Sequence, residues 1–179
     1  MAYKANDKNT TLKATMLGYR EVGATSGNYT DLSGVLRGLT ITQDEPESNS
    51  IDAEFFDSPF YIEYTGNPVT INFEWANYSL AELSALMGGT NTNGTNETAE
   101  SYSAPTSLTS IEKEWKLDFG EGYKSLIIYR GAFVATLKKD EDGALNYACT
   151  ITSLNHNAGT TNAPNYRIYS IVGDKTSGE

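Results

Sequence analysis

The stretch that decides the fold is residues 65–90, which read TGNPVTINFEWANYSLAELSALMGGT. In its first half, four apolar residues alternate with polar ones, at Val69, Ile71, Phe73 and Trp75. Alternation with a period of two is typical of a strand that buries one face. The turn-forming residues 66–68, Gly-Asn-Pro, precede this pattern, so it predicts a strand that begins after the turn.

The second half of the same stretch predicts a short helix. Ser79 and Glu82 have the spacing of a capping box, in which each side chain satisfies a backbone donor at the helix start. Four apolar residues then share one helical face, at Leu80, Leu83, Leu86 and Met87. Gly88 and Gly89 can take the left-handed conformation that ends a helix. Because so short a helix is marginal alone, we expect it to pack on a sheet.

A strand reading NPVTINF, followed by a helix ending LxxLxxLMGGT, resembles the tail tube (major tail) proteins of bacteriophages. The resemblance implies a β-sandwich with one flanking helix. It implies hexameric rings that stack into a hollow tube, with DNA passing through the lumen without specific binding. It also implies synthesis in the host cytoplasm, a final place in the virion tail, and tape-measure, tail terminator and baseplate or tip proteins as partners beside further copies of the chain.

The resemblance also indicates where stacked rings would touch. In the family, a long loop near the second and third strands bridges rings, and the acidic residues 43–54, QDEPESNSIDAE, match it approximately. The polar stretch 88–110 is a second exposed loop by composition. The candidate inter-ring contacts are therefore Asp44, Glu45, Glu47, Asn91 and Asn93. Nothing in the sequence separates a non-contractile tail from a contractile one, or from the tubes of bacterial secretion and injection machines.

Length and composition favour one mainly β domain over residues 1–179. The pattern along the chain predicts an antiparallel β-sandwich or a partly closed barrel with one short flanking α-helix. Residues 1–11 are expected to form a mobile arm and residues 173–179 a frayed tail. Strands are predicted at 12–20, 35–42, 55–64, 69–75, 111–119, 129–138, 145–152 and 166–172.

Two of the predicted pairings are specific. The strand at 55–64 leads into the Gly-Asn-Pro turn, so we expect it to form a hairpin with the strand at 69–75. The strands at 129–138 and 145–152 predict a second hairpin, with two possible loops. A two-residue loop would place the apolar residues of the two strands on opposite faces. A three-residue loop with a left-handed Gly143 pairs Leu137 with Tyr147 and places the apolar residues of both strands on the same face. Burial therefore favours the three-residue loop.

The charge distribution excludes a nucleic-acid-binding module. The net charge is −10, and no Lys or Arg occurs between residues 38 and 112. Binding to phosphates requires clustered cations, which this half of the chain lacks. The acidic surface is explained either by ordinary solubility or by a wall that does not retain passing DNA.

The sequence predicts no catalytic, cofactor or metal site. Cys149 is the only cysteine and His156 the only histidine, so an intrachain disulfide and a zinc site of several His or Cys ligands are excluded. A buried structural Cys149 and a solvent-facing His156 are the favoured interpretation. An enzyme using these two residues is the third hypothesis for function.

The rival to a tube protein is an extracellular adhesin, pilin-like or carbohydrate-binding β-sandwich. Abundant Tyr, Asn and Thr would suit glycans. Against it, the amino terminus has no apolar signal region and no stretch approaches transmembrane length, so we expect no membrane anchor. Trp75 and Trp115 also lie on the apolar faces of their predicted strands, which favours core packing over sugar stacking.

Overall fold

The architecture comes from a computed structural model that describes residues 14–43, 45–51, 61–65, 68–95, 98–107, 111–120, 123–139, 143–156 and 165–170. Within these ranges the chain forms twelve strands and one helix. Their bounds are β1 Met16–Glu21, β2 Thr30–Asp31, β3 Val35–Gln43, β4 Glu47–Ile51, β5 Tyr61–Thr65, β6 Val69–Ala76, α1 Leu80–Met87, β7 Thr90–Thr92, β8 Ser101–Ser103, β9 Ile111–Asp118, β10 Lys124–Lys139, β11 Leu145–Ser153 and β12 Tyr166–Ser170. The predicted arm and the predicted tail lie outside the described residues.

One antiparallel sheet contains most of the strands, in the order β2-β1-β9-β10-β11-β6-β3. The 16-residue β10 is shared between two regions of this sheet. Its first part pairs with β9 and β12, and its second part pairs with β11. The register against β9 shifts between Ile128 and Gly131. Strands that bend at such irregularities make the corners of sandwiches.

The sheet does not close, because β2 and β3 end it without pairing with each other. A mainly β, antiparallel architecture with a single short helix confirms the predicted fold class and is consistent with a β-sandwich. The core is one cluster of buried residues contributed mainly by β1, β6, β9, β10, β11 and α1. Trp115 stacks on Phe133 with ring centroids 5.5 Å apart, and Trp75 meets Phe133 edge-on at 6.4 Å.

The opening stretch behaves mostly as predicted. Strand β6 buries Val69, Ile71, Phe73 and Trp75 and lies between β11 and β3. Helix α1 buries Leu83 and Leu86. Gly88 and Gly89 end it with φ angles of 74° and 85°.

The predicted capping box is wrong. Ser79 occupies the N-cap position with extended backbone, but its side chain makes no capping hydrogen bond. The carboxylate of Glu82 instead accepts hydrogen bonds from the backbone N–H and the hydroxyl of Ser33. Ser33 lies in the short connection between β2 and β3, so Glu82 binds this distant segment rather than its own helix start.

The predicted hairpin between residues 55–64 and 69–75 is also wrong. Strand β5 pairs with β4 in a separate two-stranded sheet, and both edges of β6 are taken by β11 and β3. The two predicted loops are correspondingly more ordered than expected. Residues 43–54 contain β4, and residues 88–110 contain β7 and β8, which pair with each other. Polar sequences can form such ladders because backbone groups supply the bonds.

Strand β3 is confirmed near its predicted bounds but does not alternate regularly. Gly38 has a φ of 60°, and the register against β6 shifts between Arg37 and Thr40. Val35 and Ile41, which an unbroken alternation would place on the same face, are both exposed. A bulge on an edge strand changes which side chains face the core, and this one leaves two apolar residues at the surface.

The second predicted hairpin has the register that burial favoured. Leu137 pairs with Tyr147, Ala135 with Cys149 and Phe133 with Ile151. Gly143 is left-handed, with a φ of 86°. The predicted register is therefore confirmed. The length of the loop stays a prediction, because residues 140–142 lie outside the described part of the chain. The first and last predicted strands are confirmed where they are described, at β1 and β12.

We predict that Gly143→Val destabilises the fold by about 1–2 kcal/mol, because a β-branched side chain disfavours the left-handed conformation. A Cβ at this position meets no atom within 4 Å, so backbone strain is the whole effect. Urea unfolding measures it, with Gly143→Asn as the matched control that should lose much less. Equal unfolding midpoints for the three proteins would contradict this.

Gly131→Ala tests the opposite case, a clash without backbone strain. A Cβ at Gly131 would lie 2.7 Å from Cδ1 of Trp115 and 3.0 Å from Cγ2 of Ile151. Overpacking of this kind costs about 1–3 kcal/mol. We expect a lower urea midpoint and a changed near-ultraviolet signal from Trp115. A variant as stable as the parent would mean that this corner is loosely packed.

Candidate functional site

The gap at which the sheet fails to close is a groove whose lining residues are mostly apolar, although almost half of its exposed surface is polar. A cavity of about 750 Å³ lies between β1 and β2 on one side and β3 on the other. Its wall is formed mainly by apolar side chains, among them Leu17, Leu32, Leu36, Leu39 and Phe119. Asp31 also borders it. A volume of this size is within the range of sites that hold a ligand or a partner's side chains.

A second cavity of about 270 Å³ adjoins the first, since Ile41 and Phe119 line both. Its other wall includes Leu126 of β10 and Ile168 of β12. We call the two cavities together the seam groove. Val35, Ile41 and Ile168 are exposed around it. The sequence did not indicate this groove, because an alternating strand does not show whether it will lie at the edge of a sheet.

Strand β3 borders the seam groove with one unpaired edge. It pairs with β6 on one side, and no strand among the described residues pairs with its other side. An unpaired edge presents backbone donors and acceptors that can pair with another chain. β2 covers β1 for only two residues.

The outer face of β3, β6 and β11 carries uncharged polar residues in register. Thr42 lies beside Thr70, which lies beside Thr152. The next row places Thr40, Asn72 and Thr150 side by side, and the Thr150 hydroxyl donates to Oδ1 of Asn72 at 2.9 Å.

The charges on this face are paired. Lys138 of β10 donates to the carboxylate of Glu74 on β6, and this bond lowers the pKa of Glu74. Arg37 of β3 lies opposite Glu74 in the register. The face therefore presents hydroxyl and amide groups with compensated charges.

The five predicted inter-ring residues lie on two segments, residues 44–47 and 91–93, and their role in contacts between rings stays a prediction. Asp44 lies outside the described residues, and Glu45 is exposed just before β4. Glu47 begins β4, of which the backbone alone is described. Asn91 and Asn93 belong to the second small sheet or follow it directly. The amide nitrogen of Asn91 donates to Glu100 at 3.3 Å, while its oxygen is buried without a partner among the described residues.

A polar cluster on the outer side of β1 and β9 was not predicted. Glu114 is only 3% exposed, although it lies at a polar position of an alternating strand. Its Oε1 accepts hydrogen bonds from Nη2 of Arg20, at 2.7 Å, and from the hydroxyl of Tyr29. The Arg20 guanidinium also lies 4.6 Å from the Tyr29 ring centroid. Burial, followed by the bond to Glu114, raises the pKa of Tyr29. This cluster fixes the connection between β1 and β2 onto the sheet.

The residues considered for catalysis or sugar binding are placed unfavourably for either role. Burial raises the pKa of Cys149 to about 12, so its thiol stays protonated near neutral pH. His156 stacks on Tyr129 with ring centroids 5.5 Å apart. Trp75 and Trp115 are fully buried, which excludes them as sugar platforms.

Metal binding and membrane crossing were also considered for the described residues. No cluster of three or more His, Cys, Asp or Glu side chains among the described residues could hold a metal ion. No helix in the described part of the chain is long and apolar enough to cross a bilayer.

No protein-family model matches this sequence, and no curated protein is significantly similar to it. The surfaces of the molecule are therefore what indicates its function. The strongest of them is the seam groove with the unpaired edge of β3.

The buried position of Cys149 generates a direct test. We expect native protein at pH 8 to react with a thiol reagent at least 100-fold more slowly than protein unfolded in urea, because the thiol is enclosed and protonated. Colorimetric thiol titration measures both rates. Fast, stoichiometric labelling of the native protein would contradict this prediction and would favour a nucleophilic role for Cys149.

Proposed function

We propose that this chain is a structural protein of a virion that assembles with itself into stacked rings, which form a tail tube and conduct DNA during ejection. The observation that carries the proposal is the open sheet, with its unpaired β3 edge beside the apolar seam groove. Exposed apolar surface next to a free strand edge is unfavourable for an isolated protein. Association of further copies buries both.

The two small sheets support the same proposal. β4 and β5 pair only with each other, whereas β7 and β8 also pack against α1. A two-stranded hairpin is marginally stable alone in water, so contact with a neighbouring copy would stabilise the pair of β4 and β5. The hairpin of β4 and β5 carries Glu47, and the hairpin of β7 and β8 carries Asn91, so both contain predicted inter-ring residues.

Charge also favours a conduit. The chain has a net charge of −10, and the outer face of β3, β6 and β11 combines hydroxyl and amide groups with paired charges. A surface without clustered cations does not release counterions from DNA and so does not retain it. Tape-measure, terminator and baseplate or tip proteins are the further partners that such an assembly requires. The adhesin alternative receives no comparable support, because the two tryptophans that could stack on a sugar are buried.

We expect purified protein to form rings or tubes of constant diameter at micromolar concentration and to dissociate on dilution. Negative-stain electron microscopy and sedimentation velocity over a hundredfold range of concentration measure this. Duplex DNA added at low salt should not comigrate with the assemblies. A monomer at every concentration, or retention on a glycan column, would contradict the proposal.

A further inference from the structure

The hairpin of β10 and β11 extends beyond the end of the neighbouring strand and exposes apolar residues there. Strand β6 ends at Ala76, and its pairing with β11 reaches only as far as Tyr147. Beyond that point, Lys139 pairs with Leu145. Leu137, Lys139 and Leu145 lie on one face of the hairpin by the alternation of the strands. We call these three residues the hairpin tip.

The hairpin tip has the properties of a surface that a partner covers. Leu137 is 54% exposed and Leu145 is 56% exposed, so two large apolar side chains project together. Lys139 stands between them and has no ion-pair partner among the described residues. Within one copy the tip cannot turn back to the seam groove, because β6 lies between β11 and β3 and nine paired positions hold the hairpin in the sheet.

The seam groove offers the hairpin tip apolar side chains and one carboxylate opposite in charge to Lys139. The residues that line its larger cavity, of about 750 Å³, include four leucines and Phe119. Asp31 borders that cavity, is exposed, and likewise lacks an ion-pair partner among the described residues. Lys139 lies beside two exposed leucines, and Asp31 lies beside the groove. The two residues are therefore opposite charges that each border an apolar surface.

We propose that the hairpin tip of one copy inserts into the seam groove of the next, with Leu137 and Leu145 filling the cavity and Lys139 pairing with Asp31. This inference rests on the proposed self-assembly and names the two surfaces that make it. The contact joins different patches of the two copies, so it is heterologous and leaves a free tip and a free groove at the ends. Repetition closes a ring or extends a filament.

The charge pair can be tested by reversal. Asp31→Lys and Lys139→Glu should each raise the concentration for half-assembly roughly tenfold, because like charges then face each other. The double variant restores opposite charges across every contact and should assemble within about threefold of the parent. Urea unfolding of all three variants separates weakened assembly from misfolding. Single variants that assemble normally, or a double variant weaker than both, would overturn the pairing.

The leucines have a matched control on the same hairpin. Val134 is 54% exposed, like Leu137, but lies on the opposite face. Leu137→Asp with Leu145→Asp should abolish assembly, whereas Val134→Asp should leave it within about threefold, because only the first pair enters the groove. Equal losses in the two variants would overturn the proposal.

Cysteine cross-linking identifies what occupies the groove. Leu145→Cys with Val35→Cys should give disulfide-linked ladders between copies under oxidation, since native Cys149 is buried. Val134→Cys with Val35→Cys should not. A link within one chain between Tyr3→Cys and Val35→Cys would place the amino-terminal segment in the groove and overturn the proposal.

The same experiments distinguish this inference from the proposed function. A parent chain that stays monomeric overturns both. Rings that form without the cross-link, and that tolerate the charge and leucine variants, overturn the tip-and-groove contact alone. Cross-linked assemblies that are filaments without a lumen support the contact and contradict the tube.

Discussion

The packing of Trp115 against Gly131 is the constraint on which the rest of the structure depends. The indole N–H donates to the carbonyl of Gly131 at 3.2 Å, and the ring lies where a larger residue would place its Cβ. The same indole stacks on Phe133, two residues further along β10. β9 pairs with β10 on both sides of the register shift at this point, whereas β12 pairs only before it and β11 only after it. Residues from both parts of β10 contribute to one core.

The order of strands in the main sheet ends at β2 and β3, and each of these two strands pairs on one side only among the described residues. β10 is long enough to serve three neighbours, but β2 is two residues long and β3 is bulged at Gly38. Three surfaces lie where a strand in the described part of the chain has no neighbouring strand to pair with: the free edge of β3, the seam groove and the exposed hairpin tip. Each would be an aggregation hazard in a monomer, and each is accounted for if copies of the chain complete one another. Folding and assembly are then governed by the same backbone pairing and apolar burial.

The local sequence pattern predicted most of the strands and the helix. Contacts between residues distant in sequence determined the side-chain partners and the order of the strands. The register of Leu137 with Tyr147 followed from the sequence because a slip of one residue would move every apolar side chain to the wrong face. The capping role of Glu82 failed because Ser33, 49 positions earlier, competes for its carboxylate. Glu114 reads as a solvent-facing residue, yet Arg20 and Tyr29 cover it. Neither partner is near it in sequence. The edge position of β3, on which the seam groove depends, likewise arises from the order of strands, which alternation does not encode.

The central claim is that the edge of β3 is completed by another copy of the chain, and hydrogen exchange tests it most directly. In dilute, dissociated protein, the β3 amides that are not bonded to β6 should exchange at rates close to those of exposed loops. In the assembled state the account predicts exchange at those amides slower by a factor on the order of 100, because the groove and its edge are then covered. Assemblies in which β3 exchanges as fast as in the monomer would contradict it.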